Sequence, residues 1–345
     1  MRTLSLFAFV IGIELYAYQA LATIFPGSSI LPIIYFSITA ILIAAVLLFV
    51  NAGLKKRVNL PRGVLTGTFF MLFIPKLFTA ILLLGEDIVR LGKTLAMGIV
   101  HVAGNESFYL GTERSLVWSI ISVSIAGLLS LSFVYGALFN VYNYKVRKVN
   151  VKLMKLPKAF DGLKVVQISD IHSGSLTDKA AVQKAVEKIN SLHPDVIFFT
   201  GDLVNNLATE AVSFVDVFKH LQAPHGVYSV LGNHDYGDYA AWPSEESKQN
   251  NLNMLKKIHG EMGWRLLLNE HVKIEKDGEK IVVAGVENWS ASGRFHSYGK
   301  LDAALHGIQD AITVLLLSHD PSHWEAEILK HPAHVDLTFS GHTHG

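Results

Sequence analysis

The chain has 345 residues, with 30 Lys+Arg, 29 Asp+Glu and no cysteine, for a formal net charge of +1. The missing cysteines exclude disulfides, thiolate metal sites and a cysteine nucleophile. Half of the residues are hydrophobic and only 17% are charged, which places part of the chain in lipid. Residues 1–149 hold 12 of the basic residues, 5 of the acids and one of the 16 histidines, His101. The remainder is mildly acidic and histidine-rich, so it carries no basic footprint for nucleic acid.

Four apolar stretches come first, at about 3–24, 30–50, 64–84 and 116–142. Each reaches the roughly 20 apolar residues that a spanning helix needs. Pro26-Gly27-Ser28-Ser29 separates the first two. In Gly85–Gly104, the helical spacing of Ile88, Leu91, Leu95 and Ile99 predicts an interfacial helix. Glu14 and Lys76 fall inside spans. A mutual ion pair or snorkelling is the simpler reading for them, and transport or lipid binding the alternative. Lys55, Lys56, Arg57 and Arg62 lie between the second and third spans, and Lys145, Arg147, Lys148 and Lys152 follow the fourth. These basic loops are two spans apart, so both face the cytoplasm, and the second half of the chain with them. A first span cleaved as a signal peptide would leave that topology unchanged. The expected organisation is a multi-pass transmembrane domain (1–143), a basic juxtamembrane linker (144–158) attracted to anionic headgroups, and a soluble domain (159–345).

In the soluble domain, apolar strands repeatedly end in turns that carry Asp, Asn or His. Leu163–Ser169 leads to Asp170-Ile171-His172, and Asp195–Thr200 to Gly201-Asp202. Gly226–Leu231 leads to Gly232-Asn233-His234-Asp235, and Thr313–Leu317 to Ser318-His319-Asp320. Val335–Phe339 leads to Gly341-His342-Thr343-His344-Gly345. Between them, helices are expected after Thr177, over Thr209–Leu221, over Glu245–Gly260 and from Pro321. Leu266–Ile274 and Lys280–Ala284 read as a hairpin with Lys276-Asp277-Gly278 in its turn. This alternation argues a layered α/β domain, whose ligands collect at the carboxyl ends of strands.

Asp170, His172, Asp202, Asn233, His319, His342 and His344 offer only oxygen and imidazole nitrogen. Such a set suits borderline divalent ions: Mn, Fe, Zn or Co. Seven ligands exceed one tetrahedral ion but suit two ions sharing a bridging carboxylate. Two ions about 3.5–4 Å apart activate a bridging water and clamp an in-line displacement at phosphorus. His234, beside Asn233, is left to protonate the leaving oxygen, with Asp235 expected to set its tautomer. Asn206, Tyr236, Trp289, Arg294 and His296, in loops near these turns, are candidate substrate contacts, with loop decoration the simpler reading for each.

The ordered blocks D-x-H, G-D, G-N-H-D, a lone H and G-H-x-H resemble the calcineurin-like metallophosphoesterase superfamily, and within it the membrane-anchored bacterial-type phosphohydrolases. The resemblance covers residues 160–345. It implies two β-sheets packed face to face with helices outside, an α/β/β/α sandwich following a four-helix transmembrane unit. It also implies that one metal takes Asp170, His172, Asp202 and His344, and the other Asp202, Asn233, His319 and His342, with His234 as acid or transition-state stabiliser. Asn205 stands where many members have an acid. Members also continue past the last motif, so the domain is expected to be truncated at its C-terminus. The implied function is a membrane-anchored dinuclear phosphohydrolase acting on a phosphorylated small molecule or lipid. The alternatives are a nucleotide or cyclic-nucleotide phosphodiesterase using the spans only as anchor, and a sensor or transporter with a non-catalytic domain.

Overall fold

Long uncharged runs leave the backbone no partner in lipid but its own helix. In the first half they form α1 (Arg2–Ile24), α2 (Ile30–Val50), α3 (Arg62–Val102) and α4 (Leu116–Tyr135). The computed structural model describes residues 2–50, 62–105, 107–293, 295–309 and 312–344. Lys55, Lys56, Arg57 and Arg294 lie outside the described residues. The chain divides into two units, Met1–Asn143 and Tyr144–Gly345.

Among the described residues of the first unit, Gly67–Val102 and Leu116–Tyr135 are long and apolar enough to cross a membrane, and Ala8–Ile24 and Ile30–Ile41 are shorter apolar helices. The third span and the expected interfacial helix are one 41-residue helix rather than two. Gly85 is the one weak point between them, and a single glycine costs only about 1 kcal/mol in a helix. At about 1.5 Å per residue, α3 is roughly twice as long as the hydrocarbon core is thick. Ile88, Leu91, Leu95 and Ile99 are all exposed on its second half, as an apolar face that meets lipid would be. Glu14 and Lys76 pair with each other: Lys76 Nζ lies 2.7 Å from Glu14 Oε2, and Thr39 Oγ1 is bound by both. A second network ties α3 to the start of α4. Arg114 pairs with Glu86 and Asp87, Arg90 with Asp87, and the Tyr16 hydroxyl donates to Asp87.

The second unit holds two four-stranded sheets. The first sheet is wholly parallel, in chain order, with β1 (Val165–Ile168), then, after α5 (Lys179–Asn190), β2 (Val196–Phe199). Two single-turn helices, α6 (Thr209–Val212) and α7 (Val215–Phe218), precede β3 (Val227–Ser229), and α8 (Glu245–Glu261) precedes β4 (Trp264–Leu266). The second sheet contains the antiparallel hairpin β5 (Glu270–Lys276) and β6 (Glu279–Gly285). After α9 (Leu301–Leu305), β7 (Thr313–Leu317) pairs parallel to β6; after α10 (Ser322–Ala326), β8 (Leu337–Phe339) pairs parallel to β7.

β2 shows why the strands read as continuous apolar runs. Side chains alternate faces, and a parallel strand covered on both sides needs apolar residues on both. Val196 and Phe198 enter the core between the sheets with Ile274, Ile281, Val283, Leu315 and Leu317. Phe199 faces the other way, onto His259 of α8 and Trp264. On the outer face of the second sheet, Val282, Ala284, Val314 and Leu316 pack against Leu301, Ala304 and Leu305 of α9. The result is the four-layer α/β/β/α order.

Three expected elements differ. Leu266–Ile274 is not one strand: Asn269 turns the chain at φ 60°, so β4 closes the first sheet and β5 opens the second. The Asn269 side chain holds that corner, accepting from Glu287 N–H and Lys300 N–H. Thr209–Leu221 breaks into α6 and α7, in a stretch whose β-branched Val212, Val215 and Val217 favour helix weakly. Asp178, not Thr177, caps α5 by accepting from Ala181 N–H. Residues 144–158 run along this unit: Leu153 and Leu156 pack on the inter-sheet core, and the Lys155 carbonyl accepts from Thr313 Oγ1.

Register puts the functional turns together. Ile168 pairs with Phe199, Phe199 with Ser229, and Leu317 with Phe339, so the strands of each sheet end level. Gln167 then bridges the sheets, donating to Ser340 O at 2.6 Å and to Thr200 Oγ1 at 3.0 Å.

Candidate metal centre

Eight non-glycine residues have positive φ among the described residues, and five of them belong to the expected ligand set: Asp170 (53°), His172 (46°), Asp202 (61°), His342 (70°) and His344 (57°). A left-handed non-glycine residue costs on the order of 1 kcal/mol. Strain gathered at strand ends is what a site that aims side chains at one point requires. Close backbone approach adds to it. A Cβ on Gly232 would collide with the Asp202 carboxylate, and one on Gly341 with Ser169 Oγ and the Asp170 carboxylate.

The turns are bound to one another. Asp170 N–H donates to Gly201 O at 2.9 Å, and His172 N–H to Asp202 O at 3.1 Å. His342 N–H donates to both Asp170 oxygens, at 3.1 and 3.0 Å. Asp202 lies at the centre and is 1% exposed. Its Oδ1 accepts from His234 N–H at 2.9 Å, and its Oδ2 lies 3.2 Å from His319 Nε2 and 3.7 Å from His172 Nε2. His319 Nδ1 meets Thr200 O at 2.7 Å, so this nitrogen donates and Nε2 faces inward. Asn233 Oδ1 lies 3.2 Å from His319 Nε2. His344 Nε2 lies 3.6 Å from Asp170 Oδ1, and its ring stacks on His172. His342 packs edge-on against His319.

All seven expected ligand residues therefore stand at one edge of the two sheets. Three groups bring candidate ligand atoms within 4.8 Å of one another: Asp170, His172 and His344; His172, Asp202 and His234; and Asp202, His319 and His342. The donors, carboxylate, amide oxygen and imidazole, fit borderline divalent cations. Electrostatics agrees. Burial disfavours charge on Asp202, but the His319 hydrogen bond and charge outweigh it and hold the carboxyl below its usual range. Burial lowers His319, yet the Asp202 hydrogen bond and charge raise it to about 9.

Asp235 does not serve His234 as the sequence reading expects. It is fully buried and turns away, accepting from Asp202, Leu203, Val204 and Gly232 N–H at 2.8–3.2 Å. Those unpaired amides of two adjoining turns are its natural partners. Burial, then the charge of Asp202, pushes its pKa up to about 7, against the N–H groups that favour the carboxylate. His234 is oriented instead by the Asn205 carbonyl, 2.8 Å from its Nδ1. A side-chain motif cannot reveal that backbone contact.

Other loop residues resolve in different ways. Tyr236 is buried, stacks on Tyr298 and donates to Glu287. Trp289 stacks on His323, and the Asn206 carbonyl accepts from Asn251. His296 is exposed, with its ring 6.3 Å from that of Tyr298. The sequence reading missed Tyr239 and Phe295, whose rings pack on His234 and His342 respectively. Isolated aromatics in loops carry no spacing signal.

Residues 163–345 match the family model for the calcineurin-like phosphoesterase, and residues 1–141 match one described as "Probable Calcineurin-like phosphoesterase, transmembrane domain". The chain belongs to the calcineurin-like phosphoesterase family. It is 29% identical over 262 residues to a transmembrane protein with metallophosphoesterase domain from Danio rerio, covering 74% of this chain and 55% of that protein. It is 26% identical over 239 residues to the metallophosphoesterase YkuE of Bacillus subtilis, covering 68% and 77% respectively. A metallophosphoesterase of Helicobacter pylori is 31% identical over 200 residues, covering 58% of this chain and 48% of that protein. The chain thus spans about half the length of the Danio and Helicobacter relatives. The transmembrane-domain match and the Danio relative indicate association with a membrane.

Proposed function

We propose that this chain is a membrane-anchored phosphohydrolase with two divalent cations. Asp170, His172, Asp202 and His344 hold one, and Asp202, Asn233, His319 and His342 the other. The observation that carries the reading is the pair of outer ligand groups, Asp170/His172/His344 and Asp202/His319/His342, with Asp202 Oδ2 reaching toward His172. Bound divalent cations supply Lewis acidity toward phosphoryl oxygens and lower the pKa of water. The chain orients the ligands through Thr200 O on His319 and the His342 amide on Asp170. His234 provides the proton for the leaving oxygen: with Nδ1 on Asn205 O, Nε2 is the nitrogen left to face substrate.

The substrate is an amphiphilic phosphoester or diphosphate, and the active site lies on the cytoplasmic side. Lys145, Arg147, Lys148, Lys152 and Lys158 are exposed along 144–158, with no acid among them, and Val149 (81%) and Met154 (99%) project beside them. Near an anionic leaflet each such charge contributes on the order of 1 kcal/mol, falling off within a Debye length. With Mn(II), the full-length chain in anionic nanodiscs is expected to hydrolyse a lipid-linked diphosphate at least tenfold faster than a nucleotide. Equal rates, or faster nucleotide turnover, would refute the lipid assignment. Alkaline phosphatase fused after residue 150 should be silent in cells, and a bright signal would overturn the orientation.

A further inference from the structure

We infer that Tyr239 is a positioning residue for the candidate metal centre, acting through the side-chain amide of Asn233. An asparagine can turn either its oxygen or its NH2 toward a cation, and only the oxygen binds one. The two ends of the Asn233 amide have different partners. Its Nδ2 donates to the Tyr239 hydroxyl at 2.9 Å, and its Oδ1 lies 3.2 Å from the inward nitrogen of His319. With Oδ1 turned toward the cluster, the phenol oxygen accepts from the NH2 end, so this contact anchors the amide in that orientation. Asn233 is itself 4% exposed, which leaves little water to do the same work.

Tyr239 is held in turn. Its ring lies 4.7 Å from that of His234 and 6.3 Å from that of Phe295, and Phe295 packs edge-on against His342 at 5.0 Å. The hydroxyl is thus fixed by a half-exposed aromatic pair that lies over His234 and His342. Residues that orient ligands from outside are typically worth 10–100-fold in metal affinity.

The inference rests on the reading that Asn233 holds a cation, and the experiment separates the two. Full-length chain in detergent is stripped with chelator, and Mn(II) binding is followed by calorimetry. Wild type should bind two ions, and Tyr239→Phe should weaken one of them 10–100-fold while the metal-free unfolding temperature stays the same. In the Asn233→Ala background, Tyr239→Phe should have no further effect. If wild type binds no Mn(II), the metal reading itself fails. If wild type binds two ions and Tyr239→Phe binds them as tightly, the positioning role fails alone. A loss that persists in the Asn233→Ala background, or a lower metal-free unfolding temperature, would assign Tyr239 to structure instead.

Discussion

Asp202→Ala is expected to abolish turnover and metal binding together. Its two oxygens face different neighbours: Oδ1 is fixed by His234 N–H, while Oδ2 lies between His319 and His172. Truncation removes the one carboxylate common to both proposed cation sites and the charge that raises His319. The affinity loss should exceed the roughly 10–100-fold typical of residues that merely orient a ligand. Asp202→Asn keeps the volume and an oxygen for His234 N–H, so it separates loss of charge from loss of fold. It should unfold like wild type yet bind metal poorly. Retention of two ions by Asp202→Ala would refute the bridging assignment.

His234→Ala should leave both cations bound and lower turnover by roughly 10²–10⁴, the range for a positioned general acid. The loss should be smallest for esters of p-nitrophenol, whose anion leaves without help, and largest for alkyl esters. Geometry allows a rival role, because His234 shares a 4.8 Å group with His172 and Asp202. Metal content decides between them: an acid can be removed without loss of metal, and a ligand cannot. Equal losses for good and poor leaving groups would also count against the acid.

What the sequence made legible was the strand-end logic. β7 is Thr313–Leu317, the span its apolar run implies, and the hairpin turn falls at Asp277-Gly278 as its residue types require. The same reading brought seven scattered residues to one sheet edge, because apolar runs fix where strands end and parallel register brings those ends level. It failed where partners are backbone groups or lie across a turn. Asp235 follows His234 directly, yet the 3-10 turn over Asn233–Tyr236 directs it under the loop toward four amides. Tyr239 lies six residues from Asn233, and only the folded turn brings hydroxyl to amide. Continuity of α3 was hidden for another reason: hydropathy marks where a helix leaves lipid, not where it stops.

Two cations held by these side chains should be what makes the chain a phosphohydrolase. The most direct test is one titration of the purified full-length chain, stripped with chelator and reloaded with Mn(II), with bound metal and hydrolysis of bis-p-nitrophenyl phosphate measured on the same samples. The stripped chain should show no hydrolysis, and the full rate should be reached as the second ion per chain binds. Hydrolysis that survives stripping, or a chain that binds two ions and cleaves no phosphoester, would contradict the two-cation reading.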